Sequence, residues 1–155
     1  MKESEFFEIL SIKTLNNGCK INKDFEFEIF YQIKNVLEED FQIKFIYVVS
    51  PLNEKSDQEL ESIKLPANKI GKFRVQLKFP PPDFSSISLE EIIGVTIILM
   101  IISHQKKEQL RIGYYVSNAF NKDFPNDTRF QRKNNLKYIT RKIIINQPRI
   151  TRFFD

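Results

Sequence analysis

The chain has 155 residues, is 41% hydrophobic and 13% aromatic, and carries a formal net charge of +4. These values exclude a disordered chain and predict a single folded domain over residues 1–155. The charge is uneven, because residues 1–100 hold 12 basic and 16 acidic side chains whereas residues 101–155 hold 12 basic and 4 acidic ones. Such asymmetry favours a basic partner on one side and an acidic partner or polyanion on the other.

The cysteine content and the length of the apolar runs indicate the cellular compartment in which the protein is expected. Cys19 is the one cysteine, so no internal disulfide can form, and the opening residues MKESEFFEIL lack a signal-peptide pattern. Both observations predict a reducing interior, the cytosol or the nucleus. The longest apolar run, residues 92–102, has eleven residues and is too short to span a bilayer, so no membrane association is expected.

Alternation of apolar and polar residues recurs along the chain and predicts strands with one buried face. About seven strands separated by turn signals favour an all-β fold, an immunoglobulin-like antiparallel β-sandwich. The predicted strands are 7–12, 25–33, 41–49, 60–65, 73–79, 95–102 and 110–116.

The remaining segments predict short helical turns, a loop and an edge strand. Ser88 followed by Glu91 is a capping-box pattern, so residues 88–92 are expected to form one helical turn. Residues 121–135 are polar and indicate a long loop. The spacing of apolar residues over 136–143 predicts a short helix, although residues 143–145 would also suit a strand. Residues 149–154 then indicate a terminal edge strand.

The hairpin at 95–116 carries more apolar surface than one core requires. Val95, Ile97 and Leu99 point one way, while Ile98 and Met100 point the other. Two interpretations are open at this stage. The strand is buried between two packed layers, as central strands usually are, or one of its faces meets a partner.

Enzyme chemistry finds little support in the residue types. With one histidine, His104, and one cysteine, neither a metal site nor a Ser–His–acid set can be assembled. Four glycines supply no phosphate-binding loop. We therefore expect no catalytic activity, no metal and no cofactor, with His104 on the surface and Cys19 as a packing residue.

Residues 122–142 favour a second function, the binding of nucleic acid. They contain seven basic residues interleaved with Phe124, Phe130 and Tyr138, a combination that suits single strands or a phosphate backbone. Asp123 and Asp127 interrupt this segment, and no nucleic-acid reader motif accompanies it. The alternative to a protein-binding domain is thus an immunoglobulin-like nucleic-acid-binding module that contacts DNA through residues 122–142.

Three blocks of sequence stand out together. They are GVTIIL at 94–99 with RIGYYVSN at 111–118, QPRITRF at 147–153, and EDF at 39–41 with KFIYV at 44–48 and SDQ at 56–58. In collinear order from Phe25 to Phe153, these blocks resemble the anti-silencing-function histone chaperone family, which binds histones H3 and H4.

The resemblance implies a nuclear protein, monomeric when free, that binds the H3–H4 dimer and blocks formation of the H3–H4 tetramer. A concave sheet face would take a helix of H3, and the terminal strand would pair with a strand of H4. The implied H3 surface is Val48, Asp57, Glu91, Val95, Ile97, Leu99, Arg111 and Tyr115. The implied H4 contacts are Arg149, Ile150 and Thr151.

The family resemblance implies a second surface for replication-coupled and replication-independent chromatin assembly factors. Those factors present short basic segments, which acidic residues beside an apolar ledge would receive. By this resemblance, the chaperone takes histones and hands them to nucleosome assembly and disassembly factors. The implied residues of this surface are Glu39, Asp40, Glu61, Ile63 and Leu65.

Overall fold

The computed structural model of the protein describes residues 6–50, 54–122 and 136–153. Within them lie one helical turn, α1 (Leu89–Ile92), two 3₁₀ turns at Glu54–Ser56 and Leu136–Tyr138, and ten strands. The strands are β1 (Phe7–Thr14), β2 (Cys19–Lys20), β3 (Phe25–Ile33), β4 (Phe41–Val48), β5 (Gln58–Leu65), β6 (Gly71–Phe79), β7 (Gly94–His104), β8 (Lys107–Phe120), β9 (Ile139–Ile143) and β10 (Arg149–Arg152).

The strands form two antiparallel sheets, and the predicted immunoglobulin-like β-sandwich is confirmed. The smaller sheet has the order β1-β3-β6. The larger has the order β2-β9-β8-β7-β4-β5, with β10 also paired to β8. Because β9 pairs with residues 116–120 and β10 with residues 110–113, the two strands lie end to end along one side of β8.

A cluster of aromatic rings joins the two sheets. Ring centroids of Phe27 in β3 and Phe45 in β4 lie 5.7 Å apart, and those of Phe45 and Phe79 in β6 lie 4.7 Å apart. All three side chains are at most 1% exposed. Period-two alternation placed them on the inner face, and burying each ring contributes about 1.5–3 kcal/mol.

The helix predicted over 136–143 is wrong. A 3₁₀ turn ends at Tyr138, and Ile139–Ile143 is a strand paired with β8. Ile139, Arg141 and Ile143 are buried while Lys142 is exposed, which is the period-two pattern of a strand. The arginine in a buried position concealed that pattern, so the helical spacing of the isoleucines dominated the prediction.

Arg141 occupies a core position although it is charged, because hydrogen-bond acceptors and an aromatic ring surround its guanidinium group. Its Nη1 donates to the carbonyl of Lys23 at 2.8 Å, and its Nη2 donates to the carbonyl of Asp24 at 3.0 Å and to Cys19 Sγ at 3.3 Å. The guanidinium carbon lies 3.8 Å from the ring centroid of Phe25. Burial lowers the pKa of Arg141, but these acceptors compensate the desolvated charge.

Cys19 and His104 both contact residues of the core. Cys19, which was predicted to be a packing residue, is half-buried and accepts a hydrogen bond from Arg141. His104 is half-buried, and its ring centroid lies 5.0 Å from that of Phe41. His104 is therefore less exposed than a surface position implies, because it is paired directly with the core residue Phe41 of β4.

Candidate protein-binding surface

The outward side of the β4-β7-β8 strands gathers most of the predicted H3 residues on one surface, which we call the hairpin face. Register places Val48 opposite Ile97 and Ile97 opposite Tyr115, so these three form one row across the sheet. Leu99 and Gly113 belong to the next row, since they are paired partners. Neighbours in a row stand about 4.8 Å apart across the strands.

The hairpin face is open to solvent. Val95 is 65% exposed, and Ile97 and Leu99 are half-buried, whereas Ile98 and Met100 on the opposite side of β7 are fully buried. The interpretation of β7 as a strand buried between two layers is therefore wrong. An exposed apolar sheet face of this kind is a candidate interaction surface.

The terminal strand extends the hairpin face. Arg149 pairs with Gly113, and Thr151 pairs with Arg111, so the strand predicted to meet H4 lies beside the surface predicted to meet H3. A depression of about 90 Å³ forms at the junction, well below the roughly 300–1,000 Å³ of small-molecule sites, and suits one partner side chain. It is lined by Ile97, Leu99, Arg111, Gly113, Tyr115, Arg149 and Thr151.

Arg111 is held in place by its own strand. Its Nε and Nη2 donate to the two carboxylate oxygens of Glu108 at 2.8 and 2.9 Å. These hydrogen bonds raise the pKa of Arg111, outweighing the burial that lowers it. The bidentate pair fixes the guanidinium at the edge of the depression, so a partner carboxylate would share Arg111 with Glu108.

Asp57 and Glu91 border the hairpin face at one end. They precede β5 and β7, near the end of the sheet that holds Val48 and Val95. Burial, followed by the nearby charge of Glu54, raises the pKa of Asp57, and its Oδ1 has no hydrogen-bond partner among the described residues. A cationic partner would favour the ionised carboxylate and so offset the cost of that desolvation.

Glu91 is fixed by the predicted capping box. Ser88 Oγ donates to the Glu91 carboxylate at 3.0 Å, and the Glu91 backbone N–H donates to Ser88 Oγ at 3.3 Å. The helical turn at 88–92 is thereby confirmed as α1. Its exposed carboxylate stands just before β7, at the border of the hairpin face.

The terminal strand is almost entirely outside the core. All four residues of β10 are exposed, and Ile150 is 46% exposed. Its edge away from β8 pairs with no strand among the described residues. Such an edge presents backbone groups that can pair with an added strand.

The second predicted surface is partly assembled. Glu39 and Asp40 are exposed just before β4 and line a depression together with Lys64 and Lys106. Glu61 and Ile63 lie half-buried along β5.

Leu65, the last member of the predicted second surface, does not belong to its exposed part. It is 1% exposed and pairs with Phe41 inside the sandwich. Glu61, Ile63 and Leu65 share one side of β5, and Leu65 is the one of the three that is sealed in the core, so it can support this surface only from beneath.

Three of the seven basic residues in the segment at 122–142 lie outside the part of the chain that the structure describes. Arg129, Arg132 and Lys133 lie outside the described residues, as do Phe124 and Phe130. Arg141 is 2% exposed and bound to carbonyl groups in the core, so its charge is not available to a phosphate. This burial weakens the nucleic-acid-binding alternative.

Other site residues were not predicted from the sequence. Ile46 and Ile101 extend the apolar rows, since Ile46 pairs with Leu99 and Ile101 with Arg111. On the far border Lys44 Nζ lies 3.5 Å from Glu59. Alternation along β4 and β7 contains the signal for these residues, but only the strand register assigns them to the same face as Ile97.

Across the described residues, no group of three His, Cys, Asp or Glu side chains is arranged to hold a metal ion. In the same part of the chain, no helix combines the length and hydropathy that a membrane span requires.

An open apolar sheet face bordered by charges, beside an exposed terminal strand, is the anatomy of an immunoglobulin-like protein-interaction domain. The model of the ASF1-like histone chaperone family matches residues 5–154. The chain belongs to this family, and the resemblance noted in the sequence is confirmed.

Several relatives are similar over 94% of this chain. The probable histone chaperone ASF1A of Arabidopsis thaliana is 36% identical over 146 residues, which cover 74% of that protein. The histone chaperone ASF1 of Chaetomium globosum is 33% identical over 145 residues, and that of Saccharomyces cerevisiae is 34% identical over 145 residues. The chain spans about half the length of these two fungal proteins, 52% in each case.

Proposed function

We propose that this chain is a nuclear histone chaperone domain that binds the H3–H4 dimer and blocks formation of the H3–H4 tetramer. It acts by surface complementarity, without catalysis or a cofactor, and is a monomer when free. It hands the histones to replication-coupled and replication-independent assembly factors. Membership of the ASF1-like family supports the histone partner and the chromatin setting.

The open hairpin face is the observation that carries this proposal. Val48, Ile97 and Leu99 offer an apolar strip on which an amphipathic helix of H3 buries its apolar side. Carboxylates at the border, Asp57 and Glu91, attract basic residues of the histone. Because this strip is otherwise left in water, covering it provides the hydrophobic contribution to binding.

The H4 contact completes the histone site. A strand of H4 pairs with the outer edge of β10 along Arg149, Ile150 and Thr151. Backbone hydrogen bonds give this contact affinity, and the 46% exposed Ile150 gives it an apolar side chain to cover. Since Arg149 also lines the depression with Leu99, the H3 and H4 contacts form one continuous site.

The assembly factors contact a separate surface. Glu39, Asp40 and Glu61 receive their basic residues, and Ile63 supplies the apolar ledge. Leu65 acts from beneath by holding β5 against the core. The nearby Lys64 and Lys106 reduce the negative potential there, so the partner segment must be placed to avoid them.

The test is to mix the chain with purified H3–H4 and, separately, with DNA at physiological salt, and to determine the size of each complex. We expect a complex with one H3–H4 dimer. Ile97→Arg introduces a charge into the centre of the apolar strip and is expected to abolish the complex, while circular dichroism stays unchanged because Ile97 lies outside the sealed core.

Ile70→Arg is the matched control. Ile70 is 61% exposed in the turn between β5 and β6, so the same substitution there leaves histone binding intact. Retained histone binding by a folded Ile97→Arg variant would overturn the proposal. Binding to DNA with no histone complex would favour the alternative function instead.

A further inference from the structure

The outward side of the small sheet carries a second surface that the histone site does not use. On β6, every residue on this side is exposed: Lys72, Arg74, Gln76 and Lys78. Three of the four are cationic, and residues two apart on a strand stand about 6.8 Å from one another. The edge strand therefore presents a straight ladder of positive charge.

An aromatic ring lies beside this ladder. Phe30 of β3 is directly opposite Arg74 and is half-buried, although the inner side of β3 already supplies Phe27 and Tyr31 to the core. From the other side, Lys13 Nζ of β1 lies 5.7 Å from the Phe30 ring centroid. The ring is thus flanked by cations on both neighbouring strands.

The acidic residues on this side neutralise only part of the charge. Glu28 is 8% exposed, accepts a hydrogen bond from Gln76 at 2.9 Å and lies 3.8 Å from Arg74. Glu8 pairs with Lys34 at 3.0 Å, and Glu26 is half-buried opposite Lys78. Within the described part of the chain, no carboxylate lies within ion-pair distance of Lys13, Lys72 or Lys78.

We propose that this aromatic–cationic face, formed by Lys13, Phe30, Lys72, Arg74 and Lys78, binds single-stranded nucleic acid. Cations along β6 contact successive phosphates of an extended strand, and a base stacks on Phe30. An acidic peptide would satisfy the cations but has no base to place on the ring. The face lies on the small sheet, whereas the hairpin face lies on the large one, so histone and nucleic acid can be bound together.

The test is fluorescence anisotropy with a labelled oligothymidylate of about 12 nucleotides, a length within the site sizes of sheet-based single-strand binders. The variant carrying Lys72→Gln, Arg74→Gln and Lys78→Gln is expected to lose affinity at least about tenfold. Its salt dependence should flatten by about 2 in the log–log slope, since each single-strand phosphate contact contributes about 0.7. Phe30→Leu keeps an apolar side chain but removes the stacking surface, and is expected to weaken binding at least about fivefold.

A charge-matched control distinguishes a built face from diffuse charge. The variant carrying Lys20→Gln, Lys64→Gln and Lys106→Gln has the same net charge but leaves the face intact, and should bind as the unmodified chain does. An equal loss in this control would overturn the proposal. The proposal would also fail if the unmodified chain did not bind the oligothymidylate, or if it bound duplex DNA of the same length as tightly. A third contrary outcome is that polyglutamate competes as well as the oligonucleotide does while Phe30→Leu has no effect.

Measuring histone binding by the same variants tells a failure of this proposal from a failure of the proposed histone-chaperone function. All of these variants keep the hairpin face, so each should form the H3–H4 complex and melt at nearly the same temperature as the unmodified chain. The β6 variant should then retain histones while losing the oligonucleotide. Loss of both activities with an intact fold would show that the two surfaces are not independent and would overturn the inference.

Discussion

Arg149 in the terminal strand donates from Nε to the hydroxyl oxygen of Tyr115 in β8 at 3.1 Å. Its guanidinium carbon also lies 5.8 Å from the centroid of the Tyr115 ring. Arg149 belongs to the predicted H4 contacts and Tyr115 to the predicted H3 contacts. One hydrogen bond therefore links the two halves of the proposed histone site.

This link predicts energetic coupling between Arg149 and Tyr115. Tyr115→Phe and Arg149→Met each remove the hydrogen bond, so the double variant should lose less affinity for H3–H4 than the two single losses add up to. The interaction is exposed, and we expect a coupling energy of about 0.5–1 kcal/mol. Isothermal titration calorimetry on all four proteins measures it. Strict additivity would mean that the two contacts act separately.

A substitution at Gly113 should reduce histone binding with little effect on the stability of the domain. A Cβ at this position would stand 3.2 Å from Leu99 Cδ2 and 3.5 Å from Ile97 Cγ2, on the floor of the depression. Gly113→Ala should reduce histone affinity several-fold, because the added methyl group fills space meant for the partner. The free energy of unfolding should change by less than about 1 kcal/mol, since the end of the Leu99 side chain can shift.

Ser117→Ala is the control for this glycine substitution. It lies on the same side of the same strand, opposite Val95 but outside the depression, so it should leave stability nearly unchanged and reduce histone affinity much less than Gly113→Ala does. Titration with H3–H4 and urea denaturation provide the two measurements. A Gly113→Ala variant that binds as tightly as the unmodified chain would exclude the depression from the contact.

Asp57 predicts a pH dependence of histone binding. Burial raises the pKa of its carboxyl above the usual value, whereas a histone cation bound beside it would lower that pKa. The free chain then holds the proton more tightly than the complex does, so binding should weaken as the pH falls through the raised pKa of Asp57. Asp57→Asn should bind more weakly at neutral pH and lose this component of the pH dependence. Identical pH profiles for the two proteins would contradict the assignment.

Substitution of Arg141 should lower the stability of the domain strongly without changing the proposed histone site. Arg141→Met keeps much of the side-chain volume against Phe25 but leaves the Lys23 carbonyl without its donor, while the Asp24 carbonyl keeps only the hydrogen bond from Asn16 Nδ2. We expect the free energy of unfolding to fall by about 2–3 kcal/mol. Lys142→Met, an exposed neighbour on the opposite side of β9, should have almost no effect. Urea denaturation of the two variants makes the comparison, and equal midpoints would refute the structural role.

Period-two alternation was enough to predict the main strands and the two faces of the hairpin. The open side of β7 could not be assigned by alternation alone, since Val95, Ile97 and Leu99 would read the same beneath a second layer. Gly113 and Arg149 are far apart in sequence and meet only through the pairing of β10 with β8. Arg141 was missed because charge normally indicates exposure, and its acceptors are backbone carbonyls that no residue pattern reveals.

The exposed terminal strand also has a consequence for the order in which the fold opens. β10 is held by four residue pairs to β8 and buries none of its own side chains, so little apolar surface opposes its detachment. Its amide hydrogens should exchange with solvent by local opening long before those of β3 or β7. A partner strand that adds to the outer edge of β10 would therefore slow amide exchange most in β10 itself, which the free domain protects least. Binding of the partner would order this part of the site.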